Sequence, residues 1–306
     1  MTFTLATFNL KDFFDAESDA DRPAVAAKLE HVGAALDAAD ADVVALQEVG
    51  DEALLGRLLA ERVPGLGYGA PTFGTADKRG IRCVILSRRP VLEARVHTAD
   101  DLPFPTFFEG DRDPFVGRLP LRRGIPHVVV DAGDLGPVHV LTAHFKSGLP
   151  VRRKWPNGEE IPDATAADRA ASRLRSMVQR AAEALFVRGL VDAALSTGPD
   201  ARVCVMGDLN DTITSLPIRL VRGVGAAEAS GLLASCTDRV APERRFSTFH
   251  GGGKDLIDHI LVSPALASRL VSADIQNDAL RDHGPHVDGA PLTPDSDHAL
   301  VVARFA

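Results

Sequence analysis

Short apolar runs separated by polar punctuation dominate the chain. Thr4–Phe8, Val43–Leu46, Cys83–Leu86, His127–Val130, Val138–Thr142, Val203–Met206, Leu256–Val262 and Leu300–Phe305 are each rich in Val, Ile and Leu and bounded by Asp, Gly or Pro. That is the pattern of buried strands. Three longer segments repeat at helical spacing instead. Arg22–Ala39 carries Val25, Leu29, Val32 and Leu36, Glu52–Arg62 is a second helix, and Asp168–Leu195 is a third, rich in Ala and Arg. Thr98–Pro120 and Gly148–Ala164 lack either period and read as loops, the second holding Arg152, Arg153, Lys154, Trp155 and Asn157. Helices interleaved with buried strands predict two packed sheets with helices outside, in a single domain over residues 1–306.

Composition narrows the class. Of 306 residues, 45% are hydrophobic and 25% charged, as in ordinary globular proteins. No run approaches the ~20 apolar residues of a membrane span, so no membrane insertion is expected. Met1–Leu10 alternates like a strand and has no basic n-region, so no secretory signal is expected and the location implied is cytoplasmic. Cys83, Cys204 and Cys236 have no paired ligand spacing and read as buried thiols in a reducing compartment. A net charge of -8 argues against a nucleic-acid coat protein, but not against an enzyme that meets phosphates through a metal ion and local cations. Aromatics at 5% disfavour a stacking platform for single strands.

The candidate chemistry sits where strands end. Asn9 follows the first run, Glu48 the second, His144 and Lys146 the fifth, and Asp208 and Asn210 the sixth. Asp258 lies inside Leu256–Val262, and Asp297-His298 precedes the last run. Strand ends in layered folds converge at one rim, so these groups can meet although far apart in sequence.

Five strings in order, Thr7-Phe8-Asn9, Leu46-Gln47-Glu48, Ala143-His144-Phe145-Lys146-Ser147, Gly207-Asp208-Leu209-Asn210 and Leu256-Ile257-Asp258-His259-Ile260-Leu261, lead to Ser296-Asp297-His298. In these the chain resembles the endonuclease/exonuclease/phosphatase superfamily of metal-dependent phosphodiesterases, related to pancreatic-type deoxyribonucleases and apurinic-site endonucleases, and most of all its bacterial nuclease-like branch. The resemblance implies a four-layer α/β sandwich, two mainly antiparallel sheets packed face to face with helices outside. It implies Mg²⁺ or Mn²⁺ near Asn9, Glu48 and Asp297, a hard ion that prefers carboxylates and water. It makes Asp208 the acid that holds or deprotonates the attacking water and Asn210 a donor to a phosphate oxygen. His144 becomes a phosphate-binding histidine, cationic when a dianionic centre develops, and Asp258 orients His298. The reaction implied is in-line water attack on a phosphodiester without a covalent intermediate. The partner implied is a DNA or RNA substrate met by a monomer. A phosphatase or phosphodiesterase on a small or lipid-linked phosphate such as an inositol phosphate, and a silent binding module, are the alternatives.

Other positions carry expectations of their own. Arg82, inside an apolar run, reads equally as a phosphate contact or a buried ion pair, and Lys146 reads as a phosphate ligand. His259 faces away from Asp258 in a strand and reads as packing. Gly251-Gly252-Gly253-Lys254 reads as the turn ahead of the Asp258 strand. Many relatives carry an acid two residues after the asparagine, where this chain has Lys11, and strand alternation puts the adjacent Asp12 on the opposite face. The lone tyrosine, Tyr68, matches no phosphate-binding position. Arg152–Lys154 could lie against a polyanion.

Overall fold

A computed structural model describes residues 2–112, 117–225, 231–284 and 292–306. Sheet 1 runs in the order β13 (Leu270–Ile275), β14 (Val301–Phe305), β1 (Phe3–Phe13), β2 (Val43–Val49), β4 (Arg82–Ser87) and β3 (Thr72–Phe73). Sheet 2 runs β5 (Val91–His97), β6 (Ile125–Asp131), β7 (Pro137–Thr142), β8 (Arg202–Asp208), β12 (Asp258–Val262) and β9 (Ala234–Ser235). A short hairpin joins β10 (Thr248–His250) to β11 (Gly253–Asp255), turning through Gly251 and Gly252 at φ 58° and 80°. Neighbours pair antiparallel except β1 with β2 and β7 with β8.

Alternation along each strand builds four layers. In β1, Phe3 and Leu5 enter the space between the sheets, while Ala6, Phe8 and Leu10 pack under α1 (Arg22–Ala39) and α2 (Glu52–Glu61). In β8, Cys204 and Met206 face sheet 1, while Val203 and Val205 pack under α3 (Ala166–Leu195) and α4 (Leu216–Arg222). Both faces of the central strands are therefore apolar, which is why they read as unbroken runs in sequence. Asp51 caps α2 through the Leu54 amide at 2.8 Å, and Thr165 with Asp168 forms a capping box at the start of α3.

Most of the elements that sequence reading misses have little core, although α4 buries Ile218 and Val221. Nearly every residue of β5 is exposed, so it leaves no apolar run. The run Leu256–Val262 is shorter as a strand, which starts at Asp258. The described part of Thr98–Pro120 has no helix or strand, and residues 113–116 of it lie outside the described residues. All three cysteines are buried and free. Among the described residues no helix is long and apolar enough to cross a membrane.

Candidate active site

The same alternation that fills the core delivers polar side chains to one end of it. Beyond Leu5 on the inter-sheet face come Thr7 and Asn9, beyond Ala45 comes Gln47, beyond Val140 comes Thr142, and beyond Met206 comes Asp208. Gln47 is fully buried, and its amide donates to Thr7 Oγ1 and Thr142 Oγ1, both at 3.1 Å. This ties the two sheets together beneath the site. A cleft of about 640 Å³ opens above, lined by Asn9, Glu48, His144, Asp208, Asn210, Asp297 and His298 among others.

Sheet 2 supplies buried acids. Asp208 and Asp258 lie directly opposite each other in antiparallel register. Asp258 is fully buried, and its Oδ2 accepts from His298 Nδ1 at 2.8 Å and from Ser247 Oγ at 2.7 Å. The other face of the imidazole, Nε2, lies 3.9 Å from Asp208 Oδ2. Burial opposes a charge on His298, but Asp258 and Asp208 overcome it and raise the group to about 10. Asp208 accepts from Asn9 Nδ2 at 3.0 Å and from the Asn210 backbone amide and side chain at 2.9 and 3.2 Å. Burial, with Asp258 beside it, nonetheless lifts Asp208 to about 7. Asn210 spends its side-chain amide on Asp208 and on the Phe145 carbonyl at 3.1 Å, and it lines the cleft. Ser247 and Ser296 complete the frame. Ser247 Oγ accepts from the Asp258 amide, and Ser296 joins the His298 amide to the Asn9 carbonyl. No signal of composition or spacing marked Ser247.

His144 Nε2 stands 3.4 Å from Asp208 Oδ2 and 3.9 Å from Glu48 Oε1. Burial, reinforced by Arg123 and His298, holds the ring well below its ordinary range. Burial thus favours the neutral ring. Arg123 also donates to the His144 carbonyl at 3.0 Å and pairs with buried Asp77 at 2.9 Å.

Sheet 1 brings its acids in through bends. Lys11, Asp12 and Glu48 have φ of 50°, 48° and 60°, all left-handed, and the pairing of β1 with β2 and of β2 with β4 shifts register there. Non-glycine residues rarely hold this conformation, and it clusters at functional sites. The double bend overturns the expectation that Asp12 faces away: it lines the same cleft as Glu48, and its amide donates to Glu48 Oε2 at 2.9 Å. Arg79 Nη2 lies 3.7 Å from Glu48 Oε2 and 3.9 Å from Asp12 Oδ1, so both carboxylates converge on one cation. Buried Lys28 of α1 braces the bend from behind by donating to the Leu10 carbonyl at 3.1 Å and to the Lys11 carbonyl. Asp297 is held differently. Its Oδ2 pairs with Lys11 Nζ at 2.9 Å, and against the effect of burial His298 and Lys11 keep the carboxyl below its usual range.

Other candidates fall outside or at the rim. Arg82 does not line the cleft and pairs with exposed Glu52 at the start of α2, an ion pair at the surface rather than the buried one expected. Lys146 lines the cleft, but its ammonium donates to the Ser147 and Leu149 carbonyls, both at 2.9 Å. Burial and Arg122 bring it down to about 8. His259 is buried under sheet 2 and donates to the Asp211 carbonyl at 2.8 Å. Tyr68 donates to the Ala41 carbonyl at 2.9 Å, away from the cleft. Arg152 and Lys154 line the rim, with Arg152 3.4 Å from Glu160. Lys78, Arg79, Arg122 and Arg123, which sequence reading did not single out, line it too. Basic side chains thus crowd the cleft of an acidic chain.

A four-layer sandwich that gathers acids and histidines at one end of its paired sheets is a hydrolase architecture of the phosphodiesterase type. The chain belongs to the Endonuclease/Exonuclease/phosphatase family, whose model matches residues 6–298. No curated protein matches it. Among solved structures it is similar to an endonuclease/exonuclease/phosphatase family protein from Bacteroides thetaiotaomicron, at 18% identity and TM-score 0.62, covering 100% of this chain and 95% of that one. It is also similar to truncated TDP2 from Caenorhabditis elegans, at 17% identity and TM-score 0.59, covering 99% and 97%. A 3'-5' exonuclease (NExo) from Neisseria meningitidis matches at 18% identity and TM-score 0.59, covering 99% of each chain.

Proposed function

We propose that the chain is a divalent-metal-dependent phosphodiesterase that cleaves DNA or RNA by in-line attack of water. The observation that carries this reading is one cleft in which the His298–Asp258 pair and Asp208 face Glu48 and Asp12 beneath a basic rim. A neighbour of the same fold is described as a 3' phosphatase bound to a product DNA hairpin, which supports a polynucleotide substrate.

Donor chemistry decides where a hard ion fits. Asp208, Asp258 and His298 each bring a donor atom within 4.8 Å of the others. Two of them are spent on each other, and a protonated imidazole does not coordinate. Glu48 and Asp12 are open carboxylates that already converge on a guanidinium, the ligand type Mg²⁺ or Mn²⁺ takes alongside water and phosphate oxygens. Asn9 Oδ1 accepts from the Lys11 amide at 2.9 Å, and Asp297 is engaged with Lys11. Glu48 with Asp12 would therefore hold the ion. When bound, it neutralises charge on the phosphoryl oxygens. Asp208, fixed by Asn9 and Asn210, orients the attacking water and accepts its proton. His298, charged by Asp258, donates to the phosphoryl oxygens, and Arg79, Arg122 and Lys78 hold the flanking phosphates.

A screen in Mg²⁺ or Mn²⁺ against bis-p-nitrophenyl phosphate, plasmid DNA, RNA and phosphoinositides tests this. EDTA-sensitive cleavage of the small diester and of a polynucleotide is expected. Full activity in EDTA overturns the metal, phosphoinositide cleavage alone overturns the substrate, and silence with every substrate leaves the binding-module reading.

A further inference from the structure

Away from the cleft, three histidines cross the outer face of sheet 2 on a diagonal, from His97 in β5 through His127 in β6 to His139 in β7. Strand register creates the diagonal. Arg95 pairs opposite His127 and Val129 opposite His139, so each histidine stands two residues along from its neighbour's direct partner. Side chains reach one another across that offset. His97 Nε2 lies 3.1 Å from His127 Nδ1, and His127 Nε2 lies 3.1 Å from His139 Nδ1. Over the row opens a separate cavity of about 520 Å³, roofed by Leu190, Ala193 and Thr197 and flanked by Glu93 and Arg95.

Ring nitrogens this close share either one proton or one metal ion. A tetrahedral ion with Zn–N bonds of ~2.0–2.1 Å holds two ligand nitrogens about 3.3–3.4 Å apart, so the observed spacing is nearly that of a chelate. Ligands must also be neutral. Burial, then His139 and His97, brings His127 down to about 4, and burial lowers both neighbours as well. The two pairs are not equivalent. Arg95 acts on all three rings and pairs with Glu93 at 2.8 Å, and only His139 also feels Glu93, which lines the same cavity.

We propose that this row is a second cation site, for a borderline transition ion of the Zn²⁺ type, held by His127 Nε2 and His139 Nδ1 beside Glu93. Imidazole ligands select such ions, whereas Mg²⁺ keeps to oxygen. An ion there braces β6 to β7 and stabilises the fold by mass action. The site shares no residue with the cleft, so it stands or falls independently of the proposed hydrolysis.

Zn²⁺ titration of the full chain against a chromophoric chelator, in excess Mg²⁺ to occupy oxygen ligands, tests it. One Zn²⁺ per chain and a raised Tm are expected. His127→Ala and the size-preserving His139→Gln should each weaken binding by more than the ~10–100-fold that loss of an outer partner costs. His97→Ala should retain it, and cleavage in Mg²⁺ should stay at the parent level throughout. Absence of Zn²⁺ binding by the parent, equal binding by His139→Gln, or loss in His97→Ala alone overturns the assignment. If His127→Ala fails to fold, His139→Gln and His97→Ala still decide it.

Discussion

The two sheets build their halves of the cleft in opposite ways. Sheet 2 presents Asp208 and Asp258 on unbroken strands, in direct register and buried. Sheet 1 presents Asp12 and Glu48 on left-handed backbone, partly exposed and facing Arg79. Groups that orient and move protons gain from desolvation and fixed geometry, because interaction between charges strengthens as water is excluded. Groups that receive a hydrated ion must remain open to water. The bends that open them cost on the order of 1–3 kcal/mol each, a strain the surrounding core and the Lys28 brace sustain.

Breaking the buried half should have the largest effect. His298→Ala and Asp258→Asn should each lower kcat by orders of magnitude, and the double variant should fall little further than the worse single one. Multiplicative losses in single-turnover assays would show that the two act separately. On the open half, Glu48→Ala should abolish stimulation by Mg²⁺ or Mn²⁺ with the fold intact. Asp12→Asn should weaken Mn²⁺ binding, read by electron paramagnetic resonance, and leave kcat at saturating Mn²⁺ closer to the parent. Unchanged Mn²⁺ affinity in Asp12→Asn returns the second-ligand role to Asp297.

Stability separates the halves next. Gly207 in β8 packs against the backbone just beyond β7, at φ 144°, and a Cβ there would come 2.1 Å from the Ala143 carbonyl oxygen. Gly207→Ala should therefore cost at least about 3 kcal/mol in denaturant unfolding, since backbone on both sides must shift. A loss within 0.5 kcal/mol, the ordinary range for surface changes, would show that the sheet-2 half yields more than its geometry implies.

The smallest effect belongs to the Lys28 brace. Burial, against the pull of Asp12 and Glu48, brings Lys28 down to about 8 from 10.5. Between those values the unfolded chain binds more protons than the folded one, so the parent gains stability as pH rises through this window. Below it both states are protonated and the penalty is complete. In EDTA, the stability of the parent relative to Lys28→Met should grow by about 1–3 kcal/mol across that window. A flat difference would mean that Lys28 is better solvated than its position indicates.

Legibility in sequence follows the same division. Asn9, Glu48, His144, Asp208, Asn210, Asp258, Asp297 and His298 all line or back the cleft, because each ends or opens an apolar strand; period-two alternation carries Asn9 and Asp208 there, whereas left-handed backbone turns Glu48 in. Arg82 followed the same rule outward and met Glu52 instead. Asp12 was misplaced because alternation holds only while φ stays negative, and nothing in Leu10-Lys11-Asp12 announces two consecutive left-handed residues.

Local sequence determined the buried strands, the three long helices and the identity of the strand-end acids, since burial on both faces forces apolar runs and leaves polar residues only at their ends. Tertiary structure alone decided which charges meet. Lys11 binds Asp297 across 286 residues, Arg79 faces both Asp12 and Glu48, and His127 finds His97 and His139 through strand register. A Coulomb or hydrogen-bond partner is fixed by distance in space, and the chain order of strands within a sheet is not their spatial order. For the same reason the protonation of Asp208, His144 and His298 was set by the packing of two sheets against each other, which no single segment carries.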